Sequence, residues 1–387
     1  MKISDDIIYV GVNDHRIELF EGLYDVPNGM SYNSYVILDE KIAVVDTVEA
    51  QFSDGWINNI KNAVGLRKID YLIIQHMEPD HSANIKYFLQ KYPETVVVAS
   101  SKAFEMMENF YGIKYQENWC QVSDGSVIEL GRHKLVFFSA PMVHWPEVIV
   151  TYERAEEVLF SADAFGKFGA LDNDDEWENE ARRYYFGIIG KYGVQVQFLL
   201  SKLKNCHIKT ICPLHGVVIN TEVEKYINKY NVWSAYEPEV KGVMIAYTSV
   251  YGNTQKATAL LEKKLVANGI KNVVRYNLIK ADRSKMVSEA FRYSGLVLAT
   301  TTYNAEMFPV MRDFINDLTE RNYQNRTIGF MENGSWAIIA ARLMRERFEK
   351  CKNINFLDNG VRIISSLKEE NEQQIDMFSN ELSKIIL

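Results

Sequence analysis

Short apolar runs separated by turn-forming polar residues set the pattern of the first half of the chain. Ile7-Ile8-Tyr9-Val10-Gly11-Val12 and Ile17-Glu18-Leu19-Phe20 flank Asn13-Asp14, while Tyr35-Val36-Ile37-Leu38 and Ile42-Ala43-Val44-Val45-Asp46 flank Asp39-Glu40-Lys41. Both arrangements predict paired strands about a polar turn. Apolar runs at 71–74, 96–99, 135–138, 148–150 and 158–160 predict further strands, with helical spacing between them to about residue 220. That mixture points to stacked sheets flanked by helices, an αββα layering.

The pattern breaks at 233–241, where Pro238 disfavours helix in the residue before it. Beyond the break, strands predicted at Gly242–Tyr247, Val273–Leu278, Gly295–Ala299, Thr327–Met331 and Val361–Ile364 alternate with helical segments such as Phe308–Leu318. Five βα units predict a doubly wound, five-stranded parallel sheet. A chain of 387 residues exceeds one typical core. The division expected is a first domain over residues 1–238 and a second over 242–387.

Composition narrows the class. With 47% hydrophobic and 24% charged residues, the chain reads as an ordinary soluble α/β protein. A net charge of −8 argues against nucleic acid as a partner. Cys120, Cys206, Cys212 and Cys351 form no Cys-x-x-Cys pair, which speaks against a zinc ribbon or a rubredoxin-type iron centre within the chain. Sparse cysteine suits a reducing compartment. The N-terminus has no basic-then-apolar signal pattern, and no run is long enough for a membrane span. A cytoplasmic protein is expected.

His76-Met77-Glu78-Pro79-Asp80-His81 follows the apolar run Tyr71–Ile74 and puts four potential metal ligands into six residues. A buried strand accounts for the apolar run but not for that cluster at its carboxyl end. Three further candidates, His144, Asp163 and His215, each lie just past an apolar run or in a turn. Four imidazoles and three carboxylates suffice for two metals with one shared carboxylate. A lone histidine is more often a surface or core residue than a ligand, and His15, His133 and His207 are read that way.

A second cluster opens the second half. Thr248-Ser249-Val250-Tyr251-Gly252-Asn253-Thr254 follows the first strand and precedes a helix from about Gln255. Hydroxyls and backbone N–H groups at a helix N-terminus suit a phosphate monoester. The loop lacks both Gly-x-Gly-x-x-Gly and the P-loop lysine, which disfavours dinucleotides and nucleoside triphosphates. Thr300-Thr301-Thr302-Tyr303-Asn304-Ala305 after the third strand and Glu332-Asn333-Gly334-Ser335-Trp336 after the fourth emerge at the same sheet edge. The three loops resemble those of flavodoxin, which implies FMN, with Tyr303 and Trp336 against the flavin ring.

The order His-x-Glu-x-Asp-His, then His, Asp and His, resembles the metallo-β-lactamase superfamily, with Glu78 where its hydrolases carry a second imidazole. Harder oxygen ligation favours iron over zinc. A lactamase-like domain followed by a flavodoxin-like one resembles the flavodiiron proteins over essentially the whole chain, and Tyr32-Asn33-Ser34-Tyr35 and His144-Trp145-Pro146 add to the likeness. The resemblance implies one iron on His76, Glu78 and His144, a second on Asp80, His81 and His215, and Asp163 bridging, with one FMN per chain. It further implies reduction of dioxygen to water or of nitric oxide to nitrous oxide. It implies a separate electron donor as well, a rubredoxin or otherwise a reduced deazaflavin, and a head-to-tail homodimer or a dimer of dimers of the minimal class without a fused rubredoxin. Lys167-Phe168, a shortened acidic segment at 171–180, and Ala305-Glu306 in place of Asn-Gly depart from the family pattern. The rival readings are a zinc hydrolase of the lactamase superfamily and a non-catalytic FMN carrier or sensor.

Overall fold

The run Tyr71–Ile73 is an inner strand of a six-stranded sheet in the computed structural model, which describes residues 1–173 and 176–387. In order across the sheet, the strands are Ile7–Tyr9, Tyr35–Ile37, Ala43–Val45, Tyr71–Ile73, Val96–Ala99 and Cys120–Gln121. The turn at Asp39–Lys41 joins an antiparallel pair in which Tyr35 faces Val45. From Ala43–Val45 onward the strands run parallel, so each step needs a crossover. Helices Ser53–Val64, Ile85–Lys91 and Ser101–Tyr111 supply those crossovers. Trp56, Ile57, Ile60 and Val64 form the buried stripe of the first helix, at the spacing of one helical face.

A second sheet carries Val127–Glu129, Lys134–Ser139, Ile149–Glu153, Val158–Phe160 and Thr210–Cys212. Its core side chains, among them Leu135, Phe137, Val158 and Phe160, belong to one cluster with Ile37, Val45, Ile73 and Val98 of the first sheet. Two sheets sharing an apolar interior, with helix Ser53–Val64 packed on Tyr35–Ile37 and helix Gly193–Leu203 on Lys134–Ser139, give the αββα layering. The carboxyl ends of Tyr71–Ile73, Val158–Phe160 and Thr210–Cys212 lead directly into the segments holding residues 76–81, 163 and 215, with Asp80 and His81 on the single helical turn Pro79–Ser82. His144 lies in the turn between Lys134–Ser139 and Ile149–Glu153.

One expected hairpin is corrected. Asn13 and Asp14 do not form a turn between strands; Val12–Asp14 is itself a strand paired with Met30–Tyr32. The Asp14 carboxylate accepts from the backbone N–H of Arg16 (2.8 Å) and Ile17 (3.2 Å), so it starts a turn two residues later than its position suggested. The following strand shrinks to Leu19–Phe20, paired with Tyr24–Asp25.

The chain separates into two compact units, Met1–Asn231 and Val232–Leu387. The second is a parallel sheet ordered Val273–Asn277, Val240–Tyr247, Tyr293–Tyr303, Arg326–Gly334, then a last strand in two pieces, Ile354–Phe356 and Val361–Ile364. Numbered along the chain this is 2-1-3-4-5, the doubly wound order of flavodoxin. The third strand runs past the expected end at Ala299. Thr300 and Thr301 keep register with Glu332 and Asn333, and β-branched threonine suits that pleated edge. The loop therefore begins at Asn304, and Thr302–Tyr303 fold back on Glu306–Met307 as a two-residue hairpin. Asn304 and Ala305 both have positive φ, 51° and 57°. Alanine resists that conformation and glycine does not. Ala305→Gly is expected to raise stability by about 1 kcal/mol in denaturant titrations of the whole chain.

Candidate metal centre and phosphate loop

All seven expected metal-ligating side chains meet in the first unit. His76, Glu78, His144 and Asp163 form one group, and Asp80, His81 and His215 a second. Asp163 spans them. Its Oδ2 lies 3.1 Å from His76 Nε2 and 3.1 Å from His144 Nε2, while its Oδ1 lies 3.4 Å from His81 Nε2 and 3.7 Å from His215 Nε2. Within the first group Glu78 Oε2 stands 3.2 Å from His76 Nε2 and 3.0 Å from His144 Nε2. Within the second, Asp80 Oδ2 stands 3.4 Å from His81 Nε2 and 3.3 Å from His215 Nε2.

Four imidazoles thus turn the same nitrogen, Nε2, toward two points. His81 Nε2 and His215 Nε2 approach to 2.9 Å. Ligand atoms about 2.1 Å from a shared ion, set at right or tetrahedral angles, stand about 3.0–3.4 Å apart. Most of the observed separations match that geometry; Asp163 Oδ1 to His215 Nε2 is longer at 3.7 Å and His81 Nε2 to His215 Nε2 shorter at 2.9 Å. Both oxygens of Asp80 and of Asp163 are buried without a hydrogen-bond partner among the described residues, a costly arrangement that a cation relieves.

Electrostatics agree. Burial alone would raise the carboxyl of Asp163, yet His76, His144 and His81 around it hold it well below the carboxylate range. Burial alone would lower His144, but the carboxylates of Asp163 and Glu78 beside its Nε2 outweigh it and raise its pKa to about 9. Without metal, protons on these imidazoles balance the carboxylates. An imidazole whose folded pKa lies above its unfolded value of about 6.5 contributes stability that is complete below that value. That contribution is lost as pH rises through about 9. Chelator-treated protein is therefore expected to show a melting midpoint that falls from pH 6.5 to 9, and metal-loaded protein a flatter profile, in pH-resolved thermal melts.

The groups behind the ligands were not legible as site residues. Glu147 Oε1 accepts from His76 Nδ1 and from the backbone N–H of Met77, both at 2.8 Å. His215 Nδ1 donates to the carbonyl of Ser31 at 2.7 Å. Asp46, fully buried with φ of 55°, accepts from the backbone N–H and side-chain amide of Gln75 (2.8 and 3.0 Å) and steadies the strand end before His76. The contacts of Glu147 and Ser31 fix which nitrogen of His76 and of His215 faces the centre. A cavity of about 420 Å³ opens over the ligands and is lined by Asp14, Glu21, Tyr32, Glu49, Glu78 and Asp80, among others.

The three histidines left aside stay outside the centre. His15 and His207 are exposed beside Asp172 and Glu157, and His133 is buried between Asp6 and Glu153. Of the departures from the family pattern, Lys167 is buried with its stem against Gly216, and Phe168 lies under the Arg183 guanidinium (4.3 Å). The acidic segment at 171–180 includes Asp174 and Asp175, which lie outside the described residues.

In the second unit the expected loops share the carboxyl edge of the first, third and fourth strands. Thr248 and Thr300 link hydroxyl to hydroxyl at 2.6 Å, where the strand order reverses. Ser249 Oγ accepts from the backbone N–H of Gly252 (3.1 Å) and Gln255 (3.3 Å), curling Val250, Tyr251 and Gly252 outward. Gly252, at φ of 86°, takes the left-handed turn that leads into helix Asn253–Ala267. That helix has no side-chain cap, and the buried Thr254 Oγ1 in its first turn has no partner among the described residues. Both observations fit a phosphate monoester. Thr302 Oγ1 accepts from the N–H of Ile339 and Ala340, tying the third loop to the fourth, where Ser335 bonds Ser365. Asn333 reaches the Ser365 carbonyl at 3.4 Å. Gly334 closes its strand, and Trp336 just beyond is 82% exposed, with Tyr303 half-exposed on the neighbouring loop. An exposed indole at a sheet edge is a ready platform for a planar ring.

Comparison with known proteins agrees with both halves. A family model described as ODP family β-lactamase matches residues 30–216. A nitric oxide reductase of Moorella thermoacetica is 30% identical over 363 residues, covering 91% of this chain and 90% of that protein. An anaerobic nitric oxide reductase flavorubredoxin of Klebsiella pneumoniae is 27% identical, covering 97% of this chain and 78% of that one. Among solved structures, the rubredoxin oxygen:oxidoreductase of Desulfovibrio gigas superposes with a TM-score of 0.92 at 24% identity, over 100% of this chain and 98% of that one. The flavodiiron protein of Giardia intestinalis also gives 0.92 at 24% identity, over 100% and 96%. No helix among the described residues is long and apolar enough to cross a membrane.

Proposed function

The chain belongs to the flavodiiron protein family, and from that premise we propose that it is an oxidoreductase reducing dioxygen to water, nitric oxide to nitrous oxide, or both. One observation carries this reading: Asp163 offers one oxygen to each of two converging ligand groups, the donor set of a paired-metal site. His76, Glu78 and His144 would hold one iron, Asp80, His81 and His215 the other, and Asp163 both. The loops at 248–254, 301–305 and 333–336 would hold one FMN by its phosphate and ring.

Two ferrous ions and a reduced FMN would supply two electrons each, matching the four that take dioxygen to water, while nitric oxide coupling takes two per pair of molecules. The chain's own residues do the rest. Glu147 and the Ser31 carbonyl keep Nε2 of His76 and His215 aimed inward. Asp14, Glu21 and Glu49 line the cavity mouth with groups that exchange protons with water, and either reduction consumes protons. The reading extends to a cytoplasmic enzyme fed by a separate rubredoxin, or otherwise by reduced deazaflavin. It also extends to a head-to-tail dimer, alone or paired, that sets one protomer's flavin loops by its partner's metal centre. The names rubredoxin oxygen:oxidoreductase and flavorubredoxin among the similar proteins support the choice of donor.

Metal and flavin analysis of anaerobically purified protein, followed by turnover with each gas, tests the proposal. Two irons and one FMN per chain with turnover are expected. Zinc without flavin would point to a hydrolase. FMN without metal, and no turnover after iron is restored, would leave a carrier.

A further inference from the structure

Tyr32 is 3% exposed, and its hydroxyl makes no hydrogen bond to any described residue. It is nevertheless not walled in: the residue lines the cavity over the metal centre together with Glu78 and Asp80. Its ring stands edge-on to His215, 5.8 Å between centroids and 67° between planes. The carboxylates of Asp80, Asp14 and Glu49 all act on the phenol electrostatically. A nearly buried phenol normally finds a partner within the protein. Here the open face of the cavity is where that partner would come from.

The backbone holds the group still. Ser31, on one side, takes the His215 Nδ1–H on its carbonyl and the Gly216 N–H on its hydroxyl, both at 2.7 Å. Asn33, on the other, donates its amide to the carbonyls of Pro213 and Gly216 at 2.8 Å and its backbone N–H to Leu214 at 2.8 Å. The residues flanking Tyr32 are thus bonded to the loop that carries His215, which fixes the Tyr32 backbone relative to that ligand.

We propose that Tyr32 is a catalytic residue that donates a hydrogen bond to the oxygen of the diatomic substrate on the Asp80–His215 side of the centre. This rests on the gas-reductase reading above and names a group in that site to which no role has been given. The donor is neutral and its proton stays on the phenol. It stabilises negative charge growing on the oxygen, and the protons consumed come from water in the cavity. A hydrogen bond to an acceptor that gains charge is worth about 10–100-fold in rate.

Tyr32→Phe removes only the hydroxyl. Because that hydroxyl has no partner among the described residues, stability, iron content and flavin content are expected to match wild type. The direct reading is vibrational. With nitric oxide added anaerobically to the reduced, iron-loaded full chain, the N–O stretch of wild type should shift in D2O and lie lower than that of Tyr32→Phe. The variant's stretch should not respond to D2O, and its kcat should fall about 10–100-fold with little change in KM. Azide, added to the oxidised protein, gives a second stretch to compare. A wild-type stretch indifferent to D2O and unchanged in Tyr32→Phe overturns the proposal, and so does unaltered kcat. A variant that loses iron or folding assigns Tyr32 a structural role, unless the wild-type D2O shift is present. If wild type reduces neither gas but the stretches still respond to Tyr32, the function reading fails and this one stands.

Discussion

Asp163→Asn is expected to lower gas reduction at least about a thousandfold and to take iron from two ions toward one per chain, with FMN unchanged. Replacing groups that merely orient ligands already costs about 10–100-fold, and Asp163 is proposed as a ligand to both ions. Its two oxygens face different imidazole pairs, Oδ2 toward His76 and His144 and Oδ1 toward His81 and His215. Asparagine keeps one oxygen and replaces the other with an amide nitrogen that has no lone pair to offer. Whichever way the amide turns, one ion loses its shared ligand and meets N–H groups instead. The metal-free protein should suffer as well. Asp163 is a buried anion matched by protonated imidazoles, and removing one partner of a buried ion pair costs about 3–5 kcal/mol. Elemental analysis against flavin absorbance separates the two outcomes. Full iron with full turnover in Asp163→Asn would rule out a shared carboxylate.

The ligands were legible because no packing role explains them, and the residues that aim them were not. His76, Glu78, Asp80 and His81 stand together after a strand whose burial needs none of them. Glu147 sits just before the apolar run 148–150, in a turn, looking like any surface glutamate; only the fold brings it to His76. Ser31 acts through its carbonyl, which carries no sequence signal at all, and Tyr32 stood out only as part of the Tyr32-Asn33-Ser34-Tyr35 likeness, with nothing to place it over the metal centre. Asp46 closed an expected strand, and its positive φ depends on the loop it supports rather than on its neighbours. The doubly wound half was easier, since a parallel sheet buried on both faces leaves long apolar runs. Its misjudged edge, Thr300–Tyr303, came from reading a run of threonines and a tyrosine as loop when β-branched residues also extend a strand. At Asn13-Asp14 the error was similar in kind. A polar pair marks a nearby turn without saying whether it occupies the turn or, as Asp14 does, caps it from the strand before.

Glu147→Gln should weaken metal binding about 10–100-fold at the His76 position while leaving the fold intact. Glu147 is fully buried, with Oε1 shared between His76 Nδ1 and the Met77 N–H and Oε2 without a partner among the described residues. Glutamine can place its carbonyl where Oε1 lies and keep both hydrogen bonds, so the tautomer of His76 survives. What goes is the negative charge behind the imidazole, which makes Nε2 a stronger donor to a metal. A tenfold change in affinity is about 1.4 kcal/mol, close to what one charge-assisted hydrogen bond adds over a neutral one. Alanine is the harsher change. It leaves the Met77 N–H and His76 Nδ1 buried without acceptors, and each costs about 1–3 kcal/mol. Chelator competition on the iron-loaded protein reads the difference, with the second metal position as internal control. Because His76 is held protonated in the metal-free state partly by Glu147, Glu147→Gln should also shrink that protein's loss of stability on the alkaline side. Unchanged chelator midpoints would mean that Glu78 and Asp163 alone set the donor strength of His76.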